Sequence, residues 1–258
     1  GEQSFNKKGS CEYQDLEYPD DCIVDFDMRL IDLFKEMDKK KLTLKMQIRQ
    51  EYYRVKELLD GKRPSRMDLF TYMDDDIYRI CVSGSHAKEN PFQHYLDFLY
   101  ELGELSEDEQ ELYAGIGREF IQTIETTEMQ KVYKMPILYS FYNHGNIRLA
   151  VTDEEVLESW KEFFDTGTNW KDFPNVNTYE DYKKVTDKQH LSKAKRMPIR
   201  FLKASGKGFF VEKDGYALAL RDEIGDVVGN MAFGEQMGDV LGYRSLEYYR
   251  RRYEKIGS

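Results

Sequence analysis

Adjacent carboxylates at the tip of a strand–turn–strand can hold a pair of catalytic metal ions, and Tyr72-Met73-Asp74-Asp75 has the residues for it. The surroundings point elsewhere. Leu69, Tyr72 and Met73 recur at helical spacing, no hairpin flanks the string, and no third carboxylate lies in an upstream strand pattern. Asp74, Asp75 and Asp76 therefore read as a solvated helix end or as partners for nearby cations. Ser205-Gly206-Lys207-Gly208 has part of a phosphate loop, but that motif needs GxxxxGK[ST] between a strand and a helix, and here a strand pattern follows. Gly115-Ile116-Gly117 lies inside a helical pattern and lacks the preceding strand of a dinucleotide loop. The four histidines, His86, His94, His144 and His190, have no paired spacing, and Cys11, Cys22 and Cys81 form no CxxC. The sequence thus offers no catalytic residue, no metal site and no cofactor site.

Charge is more informative. The chain carries a formal charge of −10, which disfavours polyanion binding by the surface as a whole and confines any such contact to local basic patches. From Lys188 to Val211 there are seven basic residues and no acid: Lys188, Lys193, Lys195, Arg196, Arg200, Lys203 and Lys207, beside Phe201, Phe209 and Phe210. Such a run is either a solvated helix face or a track for nucleic-acid phosphates. Lys62, Arg63 and Arg66 form another group, at a chain corner where backbone N–H groups and cations could both meet phosphate. The candidate nucleic-acid-binding residues are Lys62, Arg63, Arg66, Lys193, Lys195, Arg196, Arg200, Lys203 and Lys207. Arg250, Arg251 and Arg252 make a further cluster among tyrosines that suit helix packing.

The elements that must position these residues follow from the apolar periodicity. Residues 1–21 are polar and read as a linker; Ile23, Phe26, Leu30, Leu33 and Phe34 then mark a helix that ends in the cations before Leu42. A second helix starts at Thr43, carries Leu44, Ile48, Tyr52, Val55 and Leu59 on one face, and stops at Asp60-Gly61. Pro64 bars helix at Arg63, and Ser65 with Asp68 has the spacing of a capping box, giving a helix-turn-helix-like corner. A helix follows Asn90-Pro91, and Ser106 caps a long helix running through Leu112, Ile116, Phe120 and Ile124.

The pattern loosens near Thr126 to Gln130. Beyond it, Lys134-Met135-Pro136-Ile137 and Arg196-Met197-Pro198-Ile199 each open a helix, a glycine stop and an alternating strand, and a capped helix runs from Thr152 to Phe164 between them. Lys213-Asp214-Gly215 reads as a hairpin turn, and Gly225–Leu241 and Ser245–Tyr253 as two closing helices. The expected class is mainly α with a small α+β part. Residues 22–128 would be a helical domain holding the corner, and residues 129–258 a winged-helix-like domain with closing helices.

At 258 residues, with 19 Tyr, 15 Phe and only six Pro, the chain can bury a substantial core. No apolar run reaches membrane-spanning length and no signal-peptide pattern is present, so a cytoplasmic protein with reduced thiols is expected, with no membrane and no small-molecule substrate. Gly1 in place of an initiator Met suggests excision from something longer, or processing. The strings IVDFDMRLIDLF (23–34), EYYRVKELLDGKRPSRMDLFTYMDDDIY (51–78), NPFQHYLDFL (90–99), ETTEMQKVYKMPILYSFYN (125–143) and YRSLEYYRRRY (243–253) resemble the C-terminal accessory region of bacterial DEAD/DEAH-box helicases of the superfamily 2, type III restriction-subunit kind. That resemblance is collinear from about residue 22 onward and includes none of the motor motifs. It implies a nucleic-acid-binding accessory region whose partners are DNA and the ATP-hydrolysing motor domains of the same parent protein. The alternative is a protein-interaction scaffold packing on the motor or another subunit.

Overall fold

Ile48, Tyr52 and Val55 recur at helical spacing, and in the computed structural model, which describes residues 42–254, they are the buried edge of helix α1 (Leu44–Leu58). The linker over residues 1–21, the helix expected after it, Cys11 and Cys22 lie outside the described residues. Asp60 and Gly61 take left-handed φ values of 55° and 83°, and the Gly61 N–H donates to the Lys56 carbonyl at 2.9 Å, so α1 stops where the Asp-Gly pair allows it. Ser65 caps α2 (Arg66–Tyr72): the Asp68 N–H donates to Ser65 Oγ at 3.1 Å and the Ser65 N–H donates to Asp68 Oδ2 at 2.8 Å.

Short helices α3 (Asp75–Cys81), α4 (Tyr95–Leu102), α5 (Glu107–Ala114) and α6 (Ile116–Thr126) follow. The single long helix expected from Ser106 is two helices, because Gly115 adopts an extended conformation and begins α6. Gly117 then lies against Leu112; a Cβ there would sit 2.1 Å from Leu112 Cδ1, so any side chain at this position would displace Leu112.

After α7 (Lys134–Tyr142) come β1 (Ala150–Val151), α8 (Asp153–Asp165), α9 (Tyr179–Lys183) and α10 (Asp187–Ala194). The last runs through a π-helical stretch, Lys195–Ile199, into α11 (Arg200–Ser205). Pro198 sits inside that stretch; it has no N–H and crowds the preceding turn, and the wider π turn accommodates it without ending the helix. Strands β2 (Phe210–Val211) and β3 (Leu218–Leu220) complete a three-stranded antiparallel sheet with β3 central, pairing Ala150 with Ala219 on one edge and Phe210 with Leu220 on the other. The strands that follow the two KMPI/RMPI segments thus flank the same partner. Helix α12 (Met231–Glu254) is continuous, where two closing helices were expected. Gly234, Gly238 and Gly242 lie one turn apart on it and admit neighbours: a Cβ on Gly238 would stand 2.6 Å from Tyr142 Oη.

The described residues are mainly helical with this one small sheet, and from Leu44 onward they form one compact unit. One apolar cluster joins Tyr52, Leu69, Ile77, Phe92 and Leu99, a second joins Phe120, Ile137, Phe141, Trp160, Phe210 and Phe233, and α12 supplies Tyr243 to the first and Val240 and Leu241 to the second. The boundary expected near residue 128 falls between α6 and α7, whose Ile124 and Ile137 share the second cluster.

Arg66 is fully buried. Its guanidinium donates to Glu125 Oε1 of α6 at 2.6 and 3.0 Å, and to Gln236 Oε1 and Asp239 Oδ2 of α12 at 2.7 and 2.8 Å, and it lies 4.4 Å from the Tyr95 ring centre. Asp239 also accepts from the Arg66 and Met67 N–H groups, capping α2 from a distant part of the chain. Gln236 passes the network on to Glu109, which forms a two-armed pair with Arg63.

Arg66→Ala leaves Glu125 and Asp239 without their cation, and the expected loss is about 3–5 kcal/mol, measured by urea unfolding; an unfolding midpoint equal to wild type would refute this role. Glu109 gives a pH signature. Its burial opposes ionisation, but hydrogen bonds from Arg63, the Ser106 N–H and Gln236 outweigh that and hold its carboxyl below the ordinary value of 4.5. The stability it contributes is therefore present above its unfolded pKa and lost as pH falls through the lower folded value. In Glu109→Gln the fall of stability below about pH 4.5 is expected to be shallower than in wild type.

Candidate nucleic-acid interface

The basic run lies along the helix Asp187–Ser205. Thr186 opens it with a capping box to Gln189, and His190, Ala194, Pro198, Ile199 and Leu202 face the core. Burial of that stripe turns the residues between it outward. Lys195, Arg196, Arg200 and Lys203 line one open cavity of about 420 Å³ with Ile199 and the hairpin residues Tyr216 and Ala217, and among the described residues no carboxylate lines it. Lys195 pairs with Asp153 at 2.6 Å and Lys203 with Glu212, both at the surface, where such pairs are weak and exchange readily. Among the described residues Arg196 and Arg200 have no ion-pair partner; the Arg200 guanidinium stands 5.1 Å from the centre of the Phe201 ring. Lys193 covers the Tyr133 ring at 5.0 Å, and its pKa is lowered by burial and then by Arg196 and Lys131.

The other candidates are placed differently. Arg66 is the core of the buried network, so its expected phosphate contact is corrected: three acceptors surround its guanidinium and no surface remains. Arg63 is partly buried and committed to Glu109. Lys62 is exposed. The corner's cations were read from local spacing, whereas their acids, Glu109, Glu125 and Asp239, come from elements far along the chain. The Arg250–Arg252 cluster is similarly engaged, with Asp75 at 2.8 Å, Glu247 and Asp172 respectively. Lys207 is exposed, in a left-handed conformation with φ of 49°, and borders a second cavity, of about 430 Å³, with Lys131 and Lys134. Those two lysines escaped the sequence reading. The signal was present, since Lys134 occupies the place in Lys-Met-Pro-Ile that Arg196 occupies in Arg-Met-Pro-Ile.

The remaining motifs have structural roles. Asp74 caps α3, accepting from the Asp76 and Ile77 N–H groups at 3.0 and 3.2 Å, and Asp75 meets Arg250 rather than the corner. Burial pushes the Cys81 thiol up to about 12, which suppresses the reactive thiolate. His190 is packed against Phe173 and Tyr182, and its pKa is lowered by burial and by Lys161. Among the described residues no group of His, Cys, Asp or Glu could hold a metal ion, and no helix is long and apolar enough to cross a membrane. Compared with known proteins, the chain matches no family model, no curated protein and no solved structure.

Because Asp74 is a helix cap, Asp74→Ala is expected to cost about 0.5–2 kcal/mol of stability, read from thermal unfolding, whereas Asp75→Ala, which removes an exposed pair, changes it little. Equal losses from the two substitutions would contradict these assignments.

Proposed function

We propose that the chain is a nucleic-acid-binding accessory region, without a catalytic site of its own, serving the ATP-dependent motor of a DNA helicase or restriction-type translocase in the cytoplasm. The observation that carries this reading is the cavity lined by Lys195, Arg196, Arg200 and Lys203 with no carboxylate among its described lining residues, in a chain of net charge −10. Cations so concentrated, against an acidic background, steer a polyanion to one place. In this reading the C-terminal half works as a winged-helix-like unit. The Asp187–Ser205 helix carries the phosphate contacts, and the β2–β3 hairpin stands beside it as the wing, with Tyr216 at the cavity edge. The α1–α2 pair is a helix-turn-helix-like corner in form, but its arginines are engaged internally, leaving Lys62 as the cation it offers outward. The helicase part of the proposal rests on the sequence resemblance.

A protein-interaction scaffold is the second reading, favoured by Met231, Leu246 and Tyr253 of α12, which are exposed despite their size.

Salt titration of duplex and single-stranded oligonucleotides distinguishes the two. Arg196→Ala combined with Arg200→Ala is expected to weaken binding alike for all sequences and to reduce the slope of log K against log salt by roughly one unit per lost phosphate contact. Thermal stability should change little, since both side chains are exposed. Unchanged affinity and slope would remove the nucleic-acid reading and leave the scaffold.

A further inference from the structure

The second cavity contains a buried cation that has no ion-pair partner among the described residues. Lys134, at the first position of α7, is 8% exposed, and its ammonium donates to Thr127 Oγ1 at 2.9 Å and to Ser205 Oγ at 3.5 Å. Both acceptors are neutral hydroxyls. Burial lowers its pKa, the nearby Glu128 works against that, and Arg244 adds to it. A lysine this enclosed ordinarily has a carboxylate beside it. Arg66 shows the usual solution in this same molecule, held by Glu125 and Asp239, and Lys134 lacks it.

Its surroundings add positive charge. Lys131 and Lys207 border the cavity and are exposed, and Lys131 also depresses the pKa of Lys193 nearby. The acid in the lining is Glu128, itself exposed, so three cations face one carboxylate across about 430 Å³. That volume lies within the range of small-ligand sites. Met197, Pro198 and Phe201 add apolar lining to the cavity, and Phe201 is 42% exposed. A cationic end and an exposed flat ring in one cavity match a ligand that carries negative charge on one side and an aromatic heterocycle on the other.

We propose that this cavity takes a nucleoside phosphate, with the phosphate held by Lys134, Lys131 and Lys207 and the base laid on Phe201. The inference deepens the nucleic-acid reading and rests on it for the source of the nucleotide, which is either the phosphorylated 5′ end of a strand or a free nucleotide. A phosphate suits the site better than a carboxylate because its several anionic oxygens can reach separate ammonium groups at once.

The test is calorimetric titration of the full chain with adenosine 5′-monophosphate, adenosine, inorganic phosphate, and 5′-phosphorylated and 5′-hydroxyl forms of one short single-stranded DNA. The monophosphate is expected to bind more tightly than adenosine or phosphate alone. Lys134→Met and Phe201→Ala should each weaken it roughly tenfold or more, as for loss of one charge-assisted contact or one stacked base. The phosphorylated strand should bind better than its hydroxyl form, and lose that advantage in Lys134→Met. If Lys134→Met does not fold, Phe201→Ala, at an exposed position, decides alone. Equal binding of the monophosphate by wild type and variants, or none, together with no preference for the phosphorylated strand, overturns the proposal. If in that case Arg196→Ala with Arg200→Ala still weakens strand binding, the nucleic-acid reading survives without the pocket. Lys134-dependent binding of the monophosphate with no binding of any strand supports the pocket with a free nucleotide as ligand and removes the nucleic-acid reading.

Discussion

A guanidinium enclosed on every side organises this fold. Arg66 cannot be left in the interior without its acids, and those acids come from α6 and α12, so three elements must meet at one point. An apolar side chain of similar size would tolerate rotation and sliding among its neighbours. A planar donor satisfied at fixed angles does not, and in this chain it sets the register of α2 on α12, where Asp239 also covers the two leading N–H groups of α2. Through Gln236 and Glu109 the same network reaches Arg63, so the corner, the α5 cap and the last helix are one hydrogen-bonded structure.

This arrangement divides the molecule's cations into two populations. The arginines at the corner, and Arg250 and Arg252 at the end of α12, are neutralised by acids from remote segments. Those on the Asp187–Ser205 helix and around Lys134 are not, apart from two surface pairs. The excess of acid in the composition is thus unevenly used. It neutralises the first population and leaves the second as a positive region on an otherwise negative protein. The difference has a steric cause: Pro198, Ile199 and Leu202 bury one face of the helix so completely that its charged residues have nowhere to turn except toward solvent and the hairpin.

Local signals in the sequence were readable because their physics is local. The capping box at Ser65, the cap at Ser106, the Asp-Gly stop after α1 and the hairpin turn at Lys213–Gly215 each depend on residues within four positions, and each is found where the pattern put it. Glycine illustrates the limit. Gly115 turns extended and divides a helix, whereas Gly242 stays helical within α12 with Met67 packed against it, although both follow an apolar helical stretch. Arg66 and Arg196 likewise look alike in sequence, and their opposite positions follow from an acid 173 residues away. The basic helix was legible as a run; the cavity at Lys134 was not, since it joins α6, α7 and α11 only in three dimensions.

Helix α12 has a consequence for the order in which the molecule can be made. It is the last described element to leave the ribosome, yet it supplies Tyr243 to one core cluster, Val240 and Leu241 to the other, and the Asp239 that Arg66 requires. While the nascent chain is being extended, the earlier helices can form and collide, but neither cluster is closed and a positive charge at the centre lacks half its compensation. Vectorial synthesis therefore cannot complete this fold piece by piece from the N-terminal side. Closure waits for a segment about 170 residues downstream of the corner it locks, a separation of the kind that slows the final step of folding.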